Sequence, residues 1–175
     1  MRTLLLTTTF VALLAACTPP TQQQDRPDAP PVPQVAACND VAPNASRQIG
    51  VEDAVAAAAT ASDLRGGAIA PGTYDLVRAT RIGAATGWDG TRAVALAVSE
   101  DASGAVTFNW AGAAPSGETD RWTASFTDTP QPRVTYTCGR MGEVPAEFAA
   151  AQTSLQLRLP DGAGGQLAMD FERRP

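Results

Sequence analysis

The chain has no histidine and no lysine among its 175 residues, few aromatic side chains (6%) and a low charged fraction (18%). Without histidine there is no Ser-His-Asp or Cys-His catalytic unit and no imidazole ligand for a metal. Without lysine there is no Schiff base, P-loop lysine or Ser-Lys pair. The net charge of -5 is unlike the basic face that nucleic acids require. We therefore expect a non-enzymatic protein with no cofactor, no metal and no nucleic-acid partner.

The first 16 residues are organised like an export signal. Arg2 precedes a mainly apolar stretch over residues 4–14. This stretch is too short to span a hydrocarbon core of ~30 Å, which takes about 20 residues. A single positive charge, a short apolar run and small residues are typical of a secretory signal.

The segment Leu14-Ala15-Ala16-Cys17 resembles the lipobox of bacterial lipoproteins. The resemblance implies that residues 1–16 are removed and that Cys17 is acylated, which anchors the chain stably in a membrane. An Asp directly after the lipidated Cys would resemble an inner-membrane retention signal, and this chain has Thr18 at that position. The expected location is therefore the cell envelope, with the outer membrane favoured. The alternative is an ordinary signal peptide followed by a chance cysteine.

Residues 17–37 are rich in proline and glutamine and hold little that is apolar. Such a composition does not bury a core and predicts an extended tether. The segment Pro30-Pro31-Val32-Pro33 also resembles motifs bound by aromatic grooves, but a spacer is favoured. Residues 38–175 are then one domain.

Cys38 and Cys138 remain as an even pair once Cys17 carries lipid. In an oxidising compartment such a pair predicts an intramolecular disulfide. Two free thiols or an intermolecular bridge are the alternatives.

Seven segments of the domain alternate apolar and polar residues with a period of two, which predicts half-buried strands. They are residues 73–82, 94–98, 106–110, 122–127, 134–138, 155–159 and 167–172. Before them, the Ala-rich residues 51–64 have acids at the start and Arg65 at the end, which predicts a helix. Residues 143–153 are interpreted as a short helix or a lid over one end.

Consecutive antiparallel strands with one apolar face must curl to bury it. We predict a mainly β fold, a small antiparallel up-and-down barrel or curled sandwich of about seven strands, with the N-terminal helix on the outside or across one end. Gly72-Thr73-Tyr74 resembles the Gly-x-Trp entry of lipocalin-type barrels, with Tyr in place of Trp. Tyr136-Thr137-Cys138 resembles part of the periplasmic lysozyme-inhibitor lipoproteins, whose inhibitory lysine is absent here.

The candidate binding residues are few. Trp88 and Asp89 lie in a Gly-flanked loop, where an exposed Trp beside a carboxylate would stack on a sugar or anchor a partner. Alternatively, Trp88 covers the core of the barrel. Arg78 and Arg121 are candidates for anion binding, with outward charge as the alternative. Arg81 and Arg133 are weaker candidates for the same role.

The acidic residues do not predict a catalytic or metal site. The pairs Glu52/Asp53, Glu100/Asp101 and Asp170/Glu172 are interpreted as surface charge. The aspartates in Gly-containing turns, Asp89, Asp101 and Asp161, bring too few oxygens together for calcium, which takes at least about six ligands.

Two functions remain. The first is an envelope lipoprotein whose β-domain is a binding module for a small apolar ligand or an envelope component. The second is a structural or interaction lipoprotein with a filled barrel, including an inhibitor of an envelope-directed enzyme. An open lumen of roughly 300 Å³ or more would favour the first. A lumen packed by large side chains would favour the second, the expected ones being Tyr74, Phe108, Trp110, Trp122 and Phe126.

Overall fold

Ten β-strands make up the regular structure in the computed structural model, which describes residues 37–54, 64–162 and 164–175. The strands are β1 (Ile49–Asp53), β2 (Gly72–Ile82), β3 (Thr91–Glu100), β4 (Val106–Ala113), β5 (Thr119–Thr127), β6 (Arg133–Cys138), β7 (Glu143–Pro145), β8 (Glu147–Ala151), β9 (Ser154–Asp161) and β10 (Gly165–Arg173). Within these described ranges there is no helix.

All ten strands belong to one sheet, in the order β7-β6-β5-β4-β3-β1-β2-β10-β9-β8. Strands that follow one another along the chain pair antiparallel from β2 to β7 and from β8 to β10, and β10 returns to pair with β2. The two edges, β7 and β8, are separated only by Ala146. The sheet is therefore not closed, but one extended segment of chain forms both of its edges.

Strand β1 is wedged between β2 and β3. It runs parallel to β2, with Val51 opposite Ala79, and antiparallel to β3, with Ile49 opposite Arg92. Toward the other end of the sheet β2 and β3 pair directly, with Gly72 opposite Val98. These two strands therefore separate toward the loop that joins them.

The concave side of the sheet is filled by the apolar residues of the alternating segments. Every large side chain expected there is buried; the five are Tyr74, Phe108, Trp110, Trp122 and Phe126. Phe108 stacks on Phe126 with ring centroids 5.0 Å apart, and Phe148 of β8 meets Phe126 edge-on at the same distance. Because aromatic rings bury large apolar areas, these contacts hold the two halves of the curled sheet together.

The predicted disulfide is present. Cys38 and Cys138 are joined, with their Cα atoms 5.5 Å apart. Residues 38–41, here called the N-terminal strap, lie beside β4 and β5. Asn39 Nδ2 donates 3.0 Å hydrogen bonds to the carbonyl oxygens of Trp110 and Trp122. The strap is thus fixed covalently to β6 and by hydrogen bonds to two further strands.

The mainly β prediction is confirmed, and three finer predictions are wrong. The sheet has ten strands instead of about seven, because β1, β7 and β8 are short and have too little alternation to be detected. Val51, Glu52 and Asp53 pair with β2 and do not begin a helix. Residues 55–63 of that predicted helix lie outside the described residues. Residues 143–153 contain β7 and β8 where a short helix or lid was expected.

Four connections meet at one end of the sheet, here called the upper end. They are the loops of residues 83–90, 114–118 and 139–142, and the turn between β9 and β10. Antiparallel neighbours bring them to the same side because each joins an upward strand to a downward one. The candidate site lies among these loops.

Candidate functional site

A cavity of about 170 Å³ opens at the upper end of the sheet. Its walls come from the loop of residues 83–90, from the ends of β3, β4 and β5, from the loop of residues 139–142, and from β9 and β10. Both aromatic and charged side chains line it. The site is therefore amphipathic, whereas the sheet interior below it is apolar.

Tryptophans form the inner wall of the cavity. Trp110 of β4 and Trp122 of β5 are opposite one another in the register, and their rings stack with centroids 5.3 Å apart and planes 9° from parallel. Trp88 from the loop completes the aromatic lining and is only 4% exposed. Trp88 therefore covers the core, which is the second of its two alternative roles.

Two polar side chains cross the wall beside these rings. Asp120 Oδ2 accepts a 2.8 Å hydrogen bond from Trp110 Nε1, and Asp120 Oδ1 accepts one of 2.9 Å from Arg92 Nη1. Both residues continue the inward-facing pattern of their strands by one further position. Arg92 lies two residues before Val94 on β3, and Asp120 lies two residues before Trp122 on β5.

Arg140 lies at the mouth of the cavity. Its guanidinium carbon is 5.9 Å from the centroid of the Trp122 ring and 5.8 Å from that of Tyr136. These are cation–π distances. Within the described part of the chain, Arg140 has no hydrogen bond or ion pair. It is exposed and is held by aromatic rings rather than by an acid.

Two indole N–H groups of the cavity wall are unsatisfied. Trp88 Nε1 and Trp122 Nε1 are buried and have no hydrogen-bond partner among the residues that the structure describes. An unpaired buried donor costs about 1–3 kcal/mol, so such groups are uncommon in folded proteins. Both belong to residues that line the cavity, although the two nitrogens themselves are covered by protein atoms.

Contacts with neighbouring segments hold the loop that carries Trp88. The backbone N–H of Gly87 donates a 2.8 Å hydrogen bond to Asp161 Oδ2 at the end of β9. Arg81 Nη1 donates to the Trp88 carbonyl oxygen at 3.4 Å and to Asp89 Oδ1 at 3.0 Å. A hydrogen bond from Arg81 to Asp53 raises the pKa of its guanidinium further above the ordinary value. These bonds fix the loop to β1, β2 and β9.

Of the four predicted binding residues, the structure brings only Trp88 to the cavity. Asp89 is exposed and pairs with Arg81. Arg78 is exposed and lies 3.5 Å from Glu52 on the outside of the sheet. The Arg121 guanidinium donates to the carbonyl oxygens of Asn39 and Val41, so it holds the strap where anion binding was expected.

The remaining candidates have structural partners. Arg133 pairs with Glu143 at 2.8 Å on neighbouring strands. Asp101 accepts hydrogen bonds within its own turn, and Asp161 accepts from Gly87. The described residues contain no group of His, Cys, Asp or Glu side chains that could hold a metal ion. They also contain no helix long and apolar enough to cross a membrane.

The residues that sequence reasoning missed are Arg92, Asp120 and Arg140. A signal existed for the first two, since a charged residue that continues an inward alternation at a strand end marks the rim of a cavity. For Arg140 there was none, because its position over two rings depends on how β5, β6 and the following loop pack.

Comparisons with known proteins give no family. No protein-family model matches the chain, and no curated protein matches it. Among solved structures, a de novo designed fluorescence-activating β-barrel is 14% identical, with a TM-score of 0.41. That alignment covers 60% of this chain and 94% of the designed one.

Proposed function

We propose that this chain is a lipid-anchored protein of the bacterial cell envelope whose β-domain is a non-catalytic binding module, with the cavity at the upper end as its ligand site. One observation carries the proposal. Trp88, Trp110 and Trp122 wall a cavity that has at its mouth an arginine without an acidic partner in the described chain. Concave sites with apolar walls and few polar groups are the usual form of small-molecule sites.

The packing of the sheet changes which ligand fits. An open lumen would have favoured a small apolar ligand inside the sheet, but large side chains fill the interior, so the site proposed here lies at its upper end. The upper-end cavity of about 170 Å³ is close to an engineered cavity of about 150 Å³ that binds benzene. The ligand portion that enters therefore has about the size of one ring, and charged residues at the rim give it an amphipathic environment.

Lipid attachment rests on the sequence alone, because residues 1–36 lie outside the described residues. The support is the short apolar run followed by Leu14-Ala15-Ala16-Cys17. A tether of proline and glutamine would then hold the domain away from the membrane, with the outer membrane favoured. In a bacterial host fed an alkyne-labelled fatty acid, we expect the wild-type chain to be labelled and Cys17→Ser to be unlabelled. Equal labelling of both would refute anchoring at Cys17.

Ligand binding is tested with single-ring probes on the intact chain in mild detergent. We expect at least one of benzoate, benzyl alcohol and benzylammonium to change the tryptophan fluorescence saturably. Leu167→Phe adds volume at the cavity wall and should weaken binding about tenfold through overpacking. Val106→Phe makes a similar change at the other end of the sheet and should leave binding unchanged. Saturable binding by none of the three probes would refute the binding module.

The interaction lipoprotein remains as the second candidate because the sheet interior is filled and Met141 is 94% exposed beside Arg140. A protruding Met next to a cation suits contact with a partner protein. If this is the function, in-cell cross-linking should give one defined partner that Met141→Ser loses and Val106→Phe retains, while single-ring probes do not bind.

A further inference from the structure

We infer that the ligand of the upper-end cavity presents a carboxylate, which pairs with Arg140 while the attached ring packs against the tryptophans that line the cavity. This inference rests on the proposed binding function and specifies its ligand. It follows from the position of Arg140 over the rings of Trp122 and Tyr136, where the described residues give it no acidic partner.

The acceptors of the inner wall are partly used inside the protein. Each carboxylate oxygen of Asp120 accepts a hydrogen bond, one from Trp110 Nε1 and one from Arg92 Nη1. Asp161 Oδ2 accepts from the Gly87 backbone N–H. The pairing of Arg92 with Asp120 also balances the charge of both groups. The charge of Arg92 is therefore not available to a ligand in the way that the charge of Arg140 is.

Three donor groups of the site have no acceptor in the described chain. Trp88 Nε1 and Trp122 Nε1 lack an acceptor within the described residues, and the Arg140 guanidinium there has only the two aromatic rings. The two indole nitrogens are covered in this conformation, so a ligand oxygen reaches them only after a small rotation of an indole or its neighbours. Arg140 needs no such change because it is exposed at the mouth.

Charge distinguishes a carboxylate from a neutral acceptor. A guanidinium matches the two oxygens of a carboxylate in a bidentate geometry, and such bonds are stronger than neutral ones. Two groups oppose an anion, because the carboxylates of Glu118 and Asp161 also line the cavity and neither has an ion pair among the described residues. Solvent screening weakens the effect of the exposed Glu118 at the rim, but this residue should lower the affinity measurably. Removing the charge of Arg140 and removing the charge of Glu118 should therefore change the affinity for a carboxylate in opposite directions.

The test compares benzoate, benzyl alcohol and benzylammonium, three single-ring probes of different charge, on the intact chain. Benzoate should bind most tightly. Arg140→Gln should weaken benzoate binding about fivefold, near the upper range for an exposed ion pair, and leave benzyl alcohol unchanged. Glu118→Gln should strengthen benzoate binding. Arg78→Gln removes an exposed arginine outside the site and is the matched control, with no expected change.

The outcomes separate the inference from the function it rests on. If benzyl alcohol or benzylammonium binds more tightly than benzoate, or if Arg140→Gln weakens all three probes equally, the carboxylate is wrong and the binding module stands. If none of the probes binds, both are wrong. Raising the salt concentration should reduce the preference for benzoate, because screening weakens an exposed ion pair.

Discussion

The carboxylate of Asp120 on β5 reaches Arg92 on β3 across an intervening strand, over the position of Gly112 on β4. Gly112 pairs with Asp120 of β5 on one side and with Val94 of β3 on the other. Because glycine has no side chain, it leaves the space through which the Asp120 carboxylate passes. A Cβ atom on Gly112 would clash with Asp120 Oδ1. The shape of the cavity wall therefore depends on a glycine that contacts no ligand.

Gly112→Ala should break the Arg92–Asp120 pair and lower the free energy of unfolding by about 1–3 kcal/mol, the range for overpacking a well-packed site. Urea denaturation followed by tryptophan fluorescence measures the loss. The matched control is Gly50→Ala, whose added Cβ would be an ordinary 3.7 Å from Thr91 Cγ2. Equal stability of the two variants would show that Asp120 relaxes without cost.

The disulfide should make a large contribution to stability. Cys38 and Cys138 are 100 residues apart, and the chain-entropy account values a loop of that length at about 4–5 kcal/mol, an upper figure. We expect the Cys38→Ser/Cys138→Ser variant to unfold at a much lower urea concentration than the wild type. Reductant should shift the wild type toward the variant and leave the variant unchanged. Equal urea midpoints for the wild type, for the wild type in reductant and for the double variant would contradict this prediction.

The sequence was enough to predict the sheet and its interior. Long alternating runs such as those on β3 and β5 place their apolar residues on one face without reference to anything distant, and the large aromatics are buried as expected. The short strands were missed because β7 has only three residues and β1 five. β7 pairs with the preceding strand β6, whereas β1 pairs with more distant strands, with Ile49 opposite Arg92.

The candidate site was only partly predictable. Trp88 was identified because it lies in a Gly-flanked loop outside the alternating segments. Its burial depends on the bond between Gly87 and Asp161, which are 74 residues apart. Arg78 and Arg121 were predicted from charge alone, and charge does not tell whether an arginine faces a cavity, an acid or a backbone carbonyl. The position of Arg140 could not be predicted, because it depends on how the aromatic rings of β5 and β6 pack together.

The β3–β4 turn gives a pH prediction. Asp101 accepts hydrogen bonds from the Ser103 hydroxyl at 2.6 Å and from the N–H groups of Ser103 and Ala105 at 2.8 and 3.1 Å. These bonds, the hydroxyl first, lower the pKa of Asp101 below its ordinary value. A lowered pKa in the folded state contributes stability above about pH 3.9 that is lost as the pH falls through the folded value.

Asp101→Asn should therefore reduce the loss of stability between pH 5 and pH 2 (about the range in which a carboxylate titrates), because the asparagine does not gain a proton. Urea midpoints across this range measure the slope. Asp40→Asn is the control, since Asp40 accepts no hydrogen bond from the described chain. A wild-type slope retained in Asp101→Asn would mean that other carboxyl groups account for the acid sensitivity.

Asp75 and Arg174 form the most buried ion pair of the described chain. Removing only the arginine should lower the stability more than removing both charges. Asp75 is 6% exposed, and its two oxygens accept hydrogen bonds of 2.6 and 3.0 Å from the Arg174 guanidinium. Arg174→Gln leaves the carboxylate buried without its charge partner, which should cost about 2–4 kcal/mol. Adding Asp75→Asn to that variant removes the unpaired charge and should restore part of the stability.

A double-mutant cycle by urea denaturation measures this coupling, which should exceed about 1 kcal/mol for residues in direct contact. The exposed pair of Arg47 and Glu172, 3.4 Å apart, is the comparison. Arg47→Gln should cost less than about 1 kcal/mol, because solvent screens both charges. If the two arginine variants lose equal stability, the burial of Asp75 does not strengthen its pair. The C-terminal segment would then be held by the backbone hydrogen bonds of Arg173 and Arg174 instead.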